Sequence, residues 1–342
     1  MFLRLLRALL LIGAAVVLLV FTWPQAFGLH NTWVVAHVVS FRAIAVVGAG
    51  AGILLLALVW FIRPLRRISS MAVVLLVLFG VANGAILASR GFTADTGSGS
   101  IEAGSVTVLS WNTYGDAPGA EVIAALAVAE QADVVTLPET TEETGVLIAE
   151  AMRDAGRPMW VHTLAFDLVS KARSTTLLIS PDLGDYVVSN AAGSGPPGNT
   201  NVLPTVVAKP VNGSGPTIIA VHAVAPIEYE MSNWRSDLDW LAAQCQTDNV
   251  IMAGDFNSTL DHMSGRSSDT GSVLGNCADA ALTAGAASVG TWPSSLPALL
   301  GSPIDHVLAT PNWQVTALRV IESQDDAGSD HRPLVATLTP TG

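Results

Sequence analysis

The first 90 residues contain three long apolar runs and no acidic residue, and this pattern constrains the fold more than any other feature of the sequence. The runs extend over Leu5–Trp23, Ala43–Ile62 and Met71–Ser89. Each is close to the ~20 residues that a helix needs to cross the ~30 Å hydrocarbon core of a bilayer. We therefore predict that residues 1–90 are a membrane anchor with three transmembrane helices. A cleaved signal peptide is the alternative for the first run, but no small-x-small cleavage site follows it.

The arginines of this anchor predict its orientation. Two clusters exist, namely Arg4 and Arg7 before the first run, and Arg63, Arg66 and Arg67 between the second and third runs. Positively charged loops stay on the cytoplasmic side, so the N-terminus and the second loop are expected there. Everything after Ser89 is then extracytoplasmic, on a multi-pass protein of the plasma membrane. Arg42 and Arg90 are single exceptions, and Asn83 inside the third run is expected to form an interhelical hydrogen bond.

The rest of the chain is strongly acidic. It contains 9 of the 16 basic residues and all 28 acidic ones, which gives a formal charge of 9 − 28 = −19. Its only lysines are Lys171 and Lys209, and it has no basic run. Nucleic acids are usually bound by lysine and arginine side chains that neutralise phosphates, so a nucleic-acid partner is possible but disfavoured. A local cationic groove for nucleic acid would have to be built from metal ions together with Arg173, Arg235 and Arg332.

The sequence has two cysteines, Cys245 and Cys277, which both lie in the acidic part. Outside the cytoplasm such a pair is able to form one structural disulfide, which we favour. Two separate buried thiols are the alternative.

The acidic part divides into a linker and one large domain. Residues 91–105 are small and polar without periodicity, which predicts a flexible linker. Residues 106–340 alternate short β-branched runs with alanine-rich stretches, which is typical of a sheet-rich α/β or α+β domain. Strands are predicted at Val106–Trp111, Asp133–Leu137, Thr175–Ser180, Val202–Lys209, Thr217–His222, Asn249–Ala253, Ile304–Ala309, Gln314–Ile321 and Leu334–Thr339. Helices are predicted at Ala120–Gln131, Glu142–Ala155 and Tyr229–Gln244.

Polar residues recur at the ends of these predicted strands. They are Asn112 after VTVLSW, Glu139 after DVVTLP, His222 after TIIAV, Asp255 and Asn257 in GDFN, Asp305 in IDHV, and Asp330 and His331 in SDHRP. Each alone is an ordinary turn former. Together they supply the carboxylate, amide and imidazole groups of one phosphoester-cleaving site, presented at the rim of a rigid sheet.

The order of these motifs resembles the endonuclease/exonuclease/phosphatase superfamily, which includes DNase I-like nucleases, inositol-polyphosphate phosphatases and bacterial sphingomyelinases. The resemblance extends over nearly all of Val106–Thr339. It implies a four-layer α/β/β/α sandwich that hydrolyses phosphoesters with a divalent cation.

The resemblance also implies a role for each matched residue. Glu139 would bind Mg²⁺ or Mn²⁺, because hard cations prefer oxygen ligands. Asn112 would support the metal and the phosphate, and Asp330 would be a further metal ligand or a structural acceptor. Asp255 would orient and deprotonate the attacking water, while Asn257 would bind a phosphate oxygen. His331 would contact or protonate the phosphate, Asp305 would fix its tautomer, and His222 matches a second imidazole of the nuclease branch.

Some positions depart from the family pattern. Pro138 replaces a common glutamine before Glu139, and Tyr114 stands where some members have an acidic ligand, so a second metal is not expected. Asp116 is more typical of a turn than of a replacement ligand. His306 is expected to be packed or solvated, and Trp292 to pack beside the site.

These features lead us to expect a phosphoesterase that acts on an extracytoplasmic, lipid-linked phosphate ester or pyrophosphate. Membrane members of the superfamily linked to glycopeptide resistance make a polyprenyl phosphate plausible by resemblance alone. The alternatives are a surface-anchored nuclease and a non-catalytic binding module of the same fold.

Overall fold

The computed structural model describes residues 2–97, 102–166, 170–188, 204–246 and 249–341. The chain divides into two compact units, Met1–Arg90 and Gly91–Gly342, and each is described by itself below.

The N-terminal unit is helical. Its helices are α1 (Phe2–Thr22), α2 (Trp33–Ser40), α3 (Arg42–Val59) and α4 (Arg66–Arg90). Three segments, Leu5–Thr22, Arg42–Val59 and Arg63–Arg90, are long and apolar enough to cross a membrane. Exposed aromatic residues flank these helices, with Trp23 and Trp33 near one pair of helix ends and Trp60 near another. Tryptophan is enriched at membrane interfaces, so this pattern agrees with membrane association.

Arg42 is buried among the three long helices, with 3% of its surface exposed. Its guanidinium donates to Phe21 O at 3.3 Å and to the side-chain oxygen of Asn83. Asn83 Nδ2 in turn donates to Phe79 O at 2.9 Å and to Thr22 Oγ1 at 3.3 Å. Asn83 therefore forms the expected interhelical hydrogen bonds. Arg42 is therefore held by α1 and α4, which gives its guanidinium a packing role inside the helical unit.

The C-terminal unit is built on two six-stranded sheets. The first has the order β11-β12-β1-β2-β4-β3 and the second the order β5-β6-β7-β8-β10-β9. The strands are β1 (Val106–Ser110), β2 (Val134–Pro138), β3 (Trp160–Ala165), β4 (Ser174–Ile179), β5 (Tyr186–Val188), β6 (Val206–Pro210), β7 (Thr217–His222), β8 (Val250–Asp255), β9 (Ala278–Asp279), β10 (Asp305–Ala309), β11 (Trp313–Val320) and β12 (Leu334–Pro340). The helices are α5 (Ala120–Ala129), α6 (Glu142–Asp154), α7 (Met231–Gln244), α8 (Leu260–Met263) and α9 (Ala280–Thr283).

The main core lies between the two sheets. Val108 and Val134 of the first sheet share one buried cluster with Ala220, Ile251 and Val307 of the second. This pairing follows from strand alternation, because every second side chain faces the same side of its sheet.

Helices cover the outer faces of the sandwich. Ile123 of α5 and Ile148 of α6 form a second cluster with Leu109 and Val135 of the first sheet. Strands β7 and β8 are buried along most of both faces, and Trp234 of α7 donates to Asn257 O just beyond β8. The resulting α/β/β/α order is the predicted fold class.

The segment after Arg90 makes specific contacts with the domain. Thr93 N donates to Gly285 O at 3.0 Å, and Val320 N donates to Ala94 O at 2.9 Å. Thr96 exchanges hydrogen bonds with Leu318, while Ala94 packs against the main core. Residues 94–96 thus pair along the edge of β11, although the sequence predicted residues 91–105 to be a flexible linker. The rest of that predicted linker is described only from residue 102 onward.

Most predicted elements are present with shifted ends. Strands β3, β5 and β9 and the short helices α8 and α9 were not predicted. The strand predicted at Val202–Lys209 corresponds to β6, and its residues 202–203 lie outside the described part. Cys245 and Cys277 form a disulfide with Cα atoms 5.6 Å apart. This bond joins the end of α7 to the segment that enters β9.

Candidate active site

The eight predicted site residues lie together at one edge of the two sheets. A continuous set of contacts no longer than 3.9 Å connects Asn112, Glu139, His222, Asp255, Asn257, Asp305, Asp330 and His331. Strand register explains part of this arrangement, because His222 and Asp305 are both paired with Asp255 across adjacent strands.

Asn112 connects the two sheets. It follows β1 in the first sheet, and its Nδ2 donates to Glu139 Oε1 at 3.2 Å and to Asp255 Oδ2 at 3.1 Å. Its Oδ1 accepts a hydrogen bond from Tyr114 N. Asn112 was predicted among the metal and phosphate ligands, and it lies between the two carboxylates proposed to act as metal ligand and base.

Local backbone geometry directs these side chains into the site. Glu139 has a φ of +60° and Asn257 a φ of +47°, which is uncommon for residues other than glycine. Such conformations cluster at functional sites, where the surrounding structure holds them in place. Gly254 is required by packing, because a Cβ atom there would lie 2.0 Å from Val221 O.

His331 and Asp305 form a buried pair. The Nδ1 atom of His331 lies 2.8 Å from Asp305 Oδ2, which leaves Nε2 directed toward Asp255 Oδ2 at 3.8 Å. Asp305 therefore holds the tautomer and orientation of the imidazole, as predicted for this type of pair.

Three residues that the sequence did not identify hold this pair in position. Trp111 Nε1 donates to His331 O at 2.8 Å, and Ser329 Oγ accepts from His331 N at 3.0 Å. Thr291 Oγ1 accepts from Asp305 N at 3.2 Å. Trp111 precedes Asn112 and Ser329 belongs to the SDH motif, so both had an available signal. The signal for Thr291 was its neighbour Trp292, which was expected to pack beside the site.

Asp255 is held by amide donors. Asn257 N donates to its Oδ1 at 2.7 Å, and Asn257 Nδ2 lies 3.2 Å from its Oδ2. The same Nδ2 donates to Ala223 O at 2.9 Å. Asn257 is therefore a fixed neutral donor beside the carboxylate, and its predicted contact with a phosphate oxygen would replace one of these two Nδ2 bonds.

Two further residues border the site. His222 is buried, and its Nε2 lies 3.9 Å from Glu139 Oε1. Asp330 accepts a hydrogen bond from Trp292 Nε1 at 2.9 Å, while its other oxygen lies 3.9 Å from His331 Nε2. Trp292 thus contacts the site through Asp330.

Burial and neighbouring charges shift the pKa values of this group in different directions. Burial raises the pKa of Asp255 to about 7 and also raises that of Glu139. Burial lowers the pKa of His222 to about 3. For His331 burial alone acts to lower the pKa, but the charges of Asp305 and Asp255 outweigh it and raise the pKa to about 10. At neutral pH the site therefore contains one cationic imidazole, one neutral imidazole and a carboxylate balanced between its two forms.

The donor set fits a divalent cation. Four carboxylates surround a single cationic imidazole, namely those of Glu139, Asp255, Asp305 and Asp330. Among the described residues, one oxygen of Asp305 and one of Asp330 are buried without a hydrogen-bond partner. Asp255, Asp305 and His331 also present ligand atoms within 4.8 Å of one another, but His331 Nδ1 is already bonded to Asp305. Asp330 and Glu139, with 38% and 19% of their side chains exposed, are the carboxylates most open to a cation from solvent.

Other residues considered in the sequence have structural partners. Asp116 accepts from both Thr141 N and Thr141 Oγ1 at 2.9 Å, which is the turn role expected for it. His306 lies 2.7 Å from Asp279 and 2.8 Å from Ser258 O, so it is packed in the core.

The comparison with family models agrees with this site. Residues 109–331 match the model of the endonuclease/exonuclease/phosphatase family. The chain therefore belongs to this family, whose members are hydrolases of phosphoesters. The match includes all eight site residues. Comparison with curated protein sequences finds no match.

Solved structures share the fold. An endonuclease/exonuclease/phosphatase protein from Beutenbergia cavernae has a TM-score of 0.51 at 20% identity, over 70% of this chain and 72% of its own. A protein of the same description from Bacteroides vulgatus has a TM-score of 0.50 at 14% identity, over 69% of this chain and 99% of its own. A humanized D. rerio TDP2 has a TM-score of 0.50 at 14% identity, over 69% of this chain and 99% of its own. At these identities the similarity supports the two-sheet sandwich alone.

Proposed function

We propose that this protein is a divalent-metal-dependent phosphoesterase that hydrolyses an extracytoplasmic, lipid-linked phosphate ester. The observation that supports it most is the contact of Asn112 with both Glu139 and Asp255, because it joins the two sheets into one polar site. A binding module that had lost activity would not need the complete set of acid, base and donor groups.

Each side chain has a definite task in the proposed reaction. Glu139, with Asp330 beside it, would hold Mg²⁺ or Mn²⁺, which supplies positive charge to the phosphate oxygens. Asp255 would accept a proton from the attacking water, and its pKa near 7 suits a general base at neutral pH. Asn257 would donate to a phosphate oxygen whose charge grows in the transition state.

His331 would provide the positive charge opposite the base. Since Asp305 and Asp255 keep its pKa well above neutrality, the imidazolium is present at physiological pH. It would contact the phosphate through Nε2, because Nδ1 is bonded to Asp305. The same Nε2–H would be available to protonate the leaving oxygen.

The membrane unit and the charge of the domain support a lipid-linked substrate. An enzyme tethered by three apolar helices meets phosphates at the bilayer surface continuously. The domain has a formal charge of −19, counted after residue 90, which opposes binding of a long polyanion.

A substrate comparison tests this proposal. Detergent-solubilised protein with Mg²⁺ would be assayed on polyprenyl phosphate, polyprenyl pyrophosphate, phospholipid vesicles and plasmid DNA. We expect turnover of a lipid substrate and slower cleavage of DNA. Nicking of DNA without any lipid turnover would reject the lipid assignment and favour the nuclease.

One observation favours the surface nuclease as a second candidate. His222, which matches an imidazole of the nuclease branch, lies 3.9 Å from Glu139 and is neutral at physiological pH. A neutral imidazole beside the metal ligand can donate a hydrogen bond to the substrate or accept one from it. Replacing His222 by alanine should reduce nuclease turnover more than lipid phosphatase turnover if both activities exist.

A further inference from the structure

A groove of about 910 Å³ lies along the start of α6, the helix that follows Glu139 in the chain. It is formed by the first two turns of α6, the end of β3 and the segment before β4. The lining residues are Asp116, Thr141, Glu142, Glu143, Thr144, Val146, Leu147, Ala165, Ser170, Lys171 and Ser174. We call this the α6 groove. Its volume lies in the range of small-molecule sites, which is roughly 300–1,000 Å³.

The α6 groove is linked to the catalytic site by residues that are close to each other along the chain. Thr141 lines it and lies two residues after Glu139, so their Cα atoms are at most about 7.6 Å apart. Thr113, next to Asn112, donates to Glu139 O at 3.0 Å and accepts from Asp116 N at 3.1 Å. The groove therefore lies within about 8 Å of the backbone of a proposed metal ligand, which is within reach of a substituent on a bound phosphate.

The charges of the α6 groove disfavour an anion. Glu142 and Glu143 are exposed at its margin. Its only cation among the lining residues is Lys171, whose ammonium already lies 3.2 Å from the carboxylate of Asp116. The remaining surface combines hydroxyl groups with the exposed apolar side chains of Val146 and Leu147, which are 42% and 49% exposed.

We infer that the α6 groove is a substrate subsite that accepts a non-anionic organic group attached to the scissile phosphate and excludes a second phosphate. This inference rests on the proposed phosphoesterase function and narrows its substrate to an ester rather than a pyrophosphate or a polynucleotide. Like charges close to a bound anion lower its affinity, and Glu142 and Glu143 provide them here.

Two chromogenic esters that differ by one phosphate test the inference. One is the para-nitrophenyl ester of thymidine monophosphate, and the other has a second phosphate on the remaining deoxyribose hydroxyl. Both release para-nitrophenolate from the same kind of diester, so their ratio of kcat/KM measures tolerance of the second phosphate. The enzyme is the full-length protein in detergent with Mg²⁺.

The informative variant combines Glu142→Lys with Glu143→Lys, and the matched control is Glu150→Lys on the same helix. Glu150 lines a different groove. We expect the wild type to prefer the ester with one phosphate, mainly through KM. The double variant should reduce that preference by roughly fivefold or more, as expected for reversing two surface charges near a ligand. Glu150→Lys should leave the preference unchanged.

The possible results separate the two levels of the proposal. An unchanged preference in the double variant, or an equal change in the control, would overturn the subsite while the phosphoesterase function stands. A wild type that shows no preference, or that hydrolyses para-nitrophenyl phosphate or a lipid substrate but neither ester, would likewise overturn the subsite alone. Absence of turnover of both esters, of para-nitrophenyl phosphate and of the lipid substrates by the wild type would overturn the function and the subsite with it. Circular dichroism of each variant identifies any loss of fold.

Discussion

At the residue scale, the candidate site depends on a few buried polar side chains whose charges control one another. His331 is surrounded by Asp305, Asp255 and Asp330, and Asp255 is held by Asn112 and Asn257. Burial strengthens these interactions because the local dielectric is low. Single substitutions here should therefore change the chemistry and also lower the stability, because a buried charge that loses its partner is costly.

Asp255→Asn and His331→Ala are each expected to abolish phosphoester turnover while the protein stays folded. The first removes the proposed base, and the second removes the proposed cation, so each should lower kcat by at least about 100-fold. Steady-state assays with a thermal unfolding control measure both effects. Activity that survived both substitutions would show the assigned roles to be wrong.

Asp305→Asn is expected to move the alkaline limb of the kcat/KM profile to lower pH. Burial lowers the pKa of His331, and the Asp305 charge is the largest influence that raises it, so removal of that charge lowers the pKa. His331 must be protonated in the proposed mechanism, and activity is then lost at a lower pH. The control is Asp279→Asn, which alters the comparable pair with His306 outside the site. A limb that stays in place in Asp305→Asn would refute the role of His331.

Much of this residue-scale arrangement was predictable, because catalytic groups follow short apolar strands in motifs such as GDFN and SDH. Trp292 was expected beside the site, but its hydrogen bond to Asp330, 38 residues away in sequence, was not predicted. The position of Thr291 was not predicted either, since its partner Asp305 is 14 residues away. Sequence patterns report neighbours along one element, whereas these contacts depend on how loops fold over the sheet edge.

At the element scale, the apolar patterns of the sequence predicted most strands and helices. The errors were in the ends of elements and in strands at the edges of the sheets. Strand β3 was missed because all its side chains are at least partly exposed, which weakens the pattern of alternation. Residues 91–97 were predicted to be flexible because they are small and polar. They are held instead by backbone hydrogen bonds with Leu318 and Val320, and backbone groups leave no signal in composition.

Gly91→Ala is expected to destabilise the protein more than Gly97→Ala. Both glycines have positive φ, at +82° and +84°, so both substitutions introduce backbone strain. Only at Gly91 would the new Cβ atom also lie 2.0 Å from Gly285 O, whereas nothing lies within 4 Å at Gly97. Thermal unfolding of the detergent-solubilised proteins should show the lower Tm for Gly91→Ala. Equal Tm values would mean that the segment does not need its close contact with Gly285.

The disulfide is expected to stabilise the domain by about 3–4 kcal/mol, from the loop-closure entropy of its 32-residue separation. Replacing Cys245 and Cys277 together by serine should lower the urea midpoint without changing the metal requirement for activity. Chemical unfolding monitored by tryptophan fluorescence provides the measurement. A midpoint unaffected by the double replacement would show that the bond contributes nothing to stability.

At the scale of the whole molecule, the distribution of charge and apolar residues predicted the division of the chain. All acidic residues lie after residue 90, and the two compact units separate at the same position. The sequence did not explain Arg42, which lies outside the two arginine clusters that predict the orientation. Its partners Phe21 and Asn83 lie on two other helices, so only the packed structure identifies them.

The orientation remains a proposal with a direct test. Fusions at the C-terminus to a reporter active only outside the cytoplasm, and to one fluorescent only inside it, should give activity from the first alone. Removing the positive charges of Arg63, Arg66 and Arg67 should weaken that preference, because these charges hold the loop on the cytoplasmic side. A cytoplasmic signal from the wild-type fusion would overturn the extracytoplasmic location and the substrate argument built on it.

The central claim is that Glu139 and its neighbours bind a divalent cation and a phosphate in one site, and a metal titration of turnover tests it most directly. Wild-type protein treated with a chelator should lose activity on para-nitrophenyl phosphate and regain it with Mg²⁺ or Mn²⁺. Glu139→Gln should need at least about tenfold more metal for half-maximal activity, since it loses a charged oxygen ligand. Turnover that persisted without metal, or an identical metal requirement in the variant, would contradict the account.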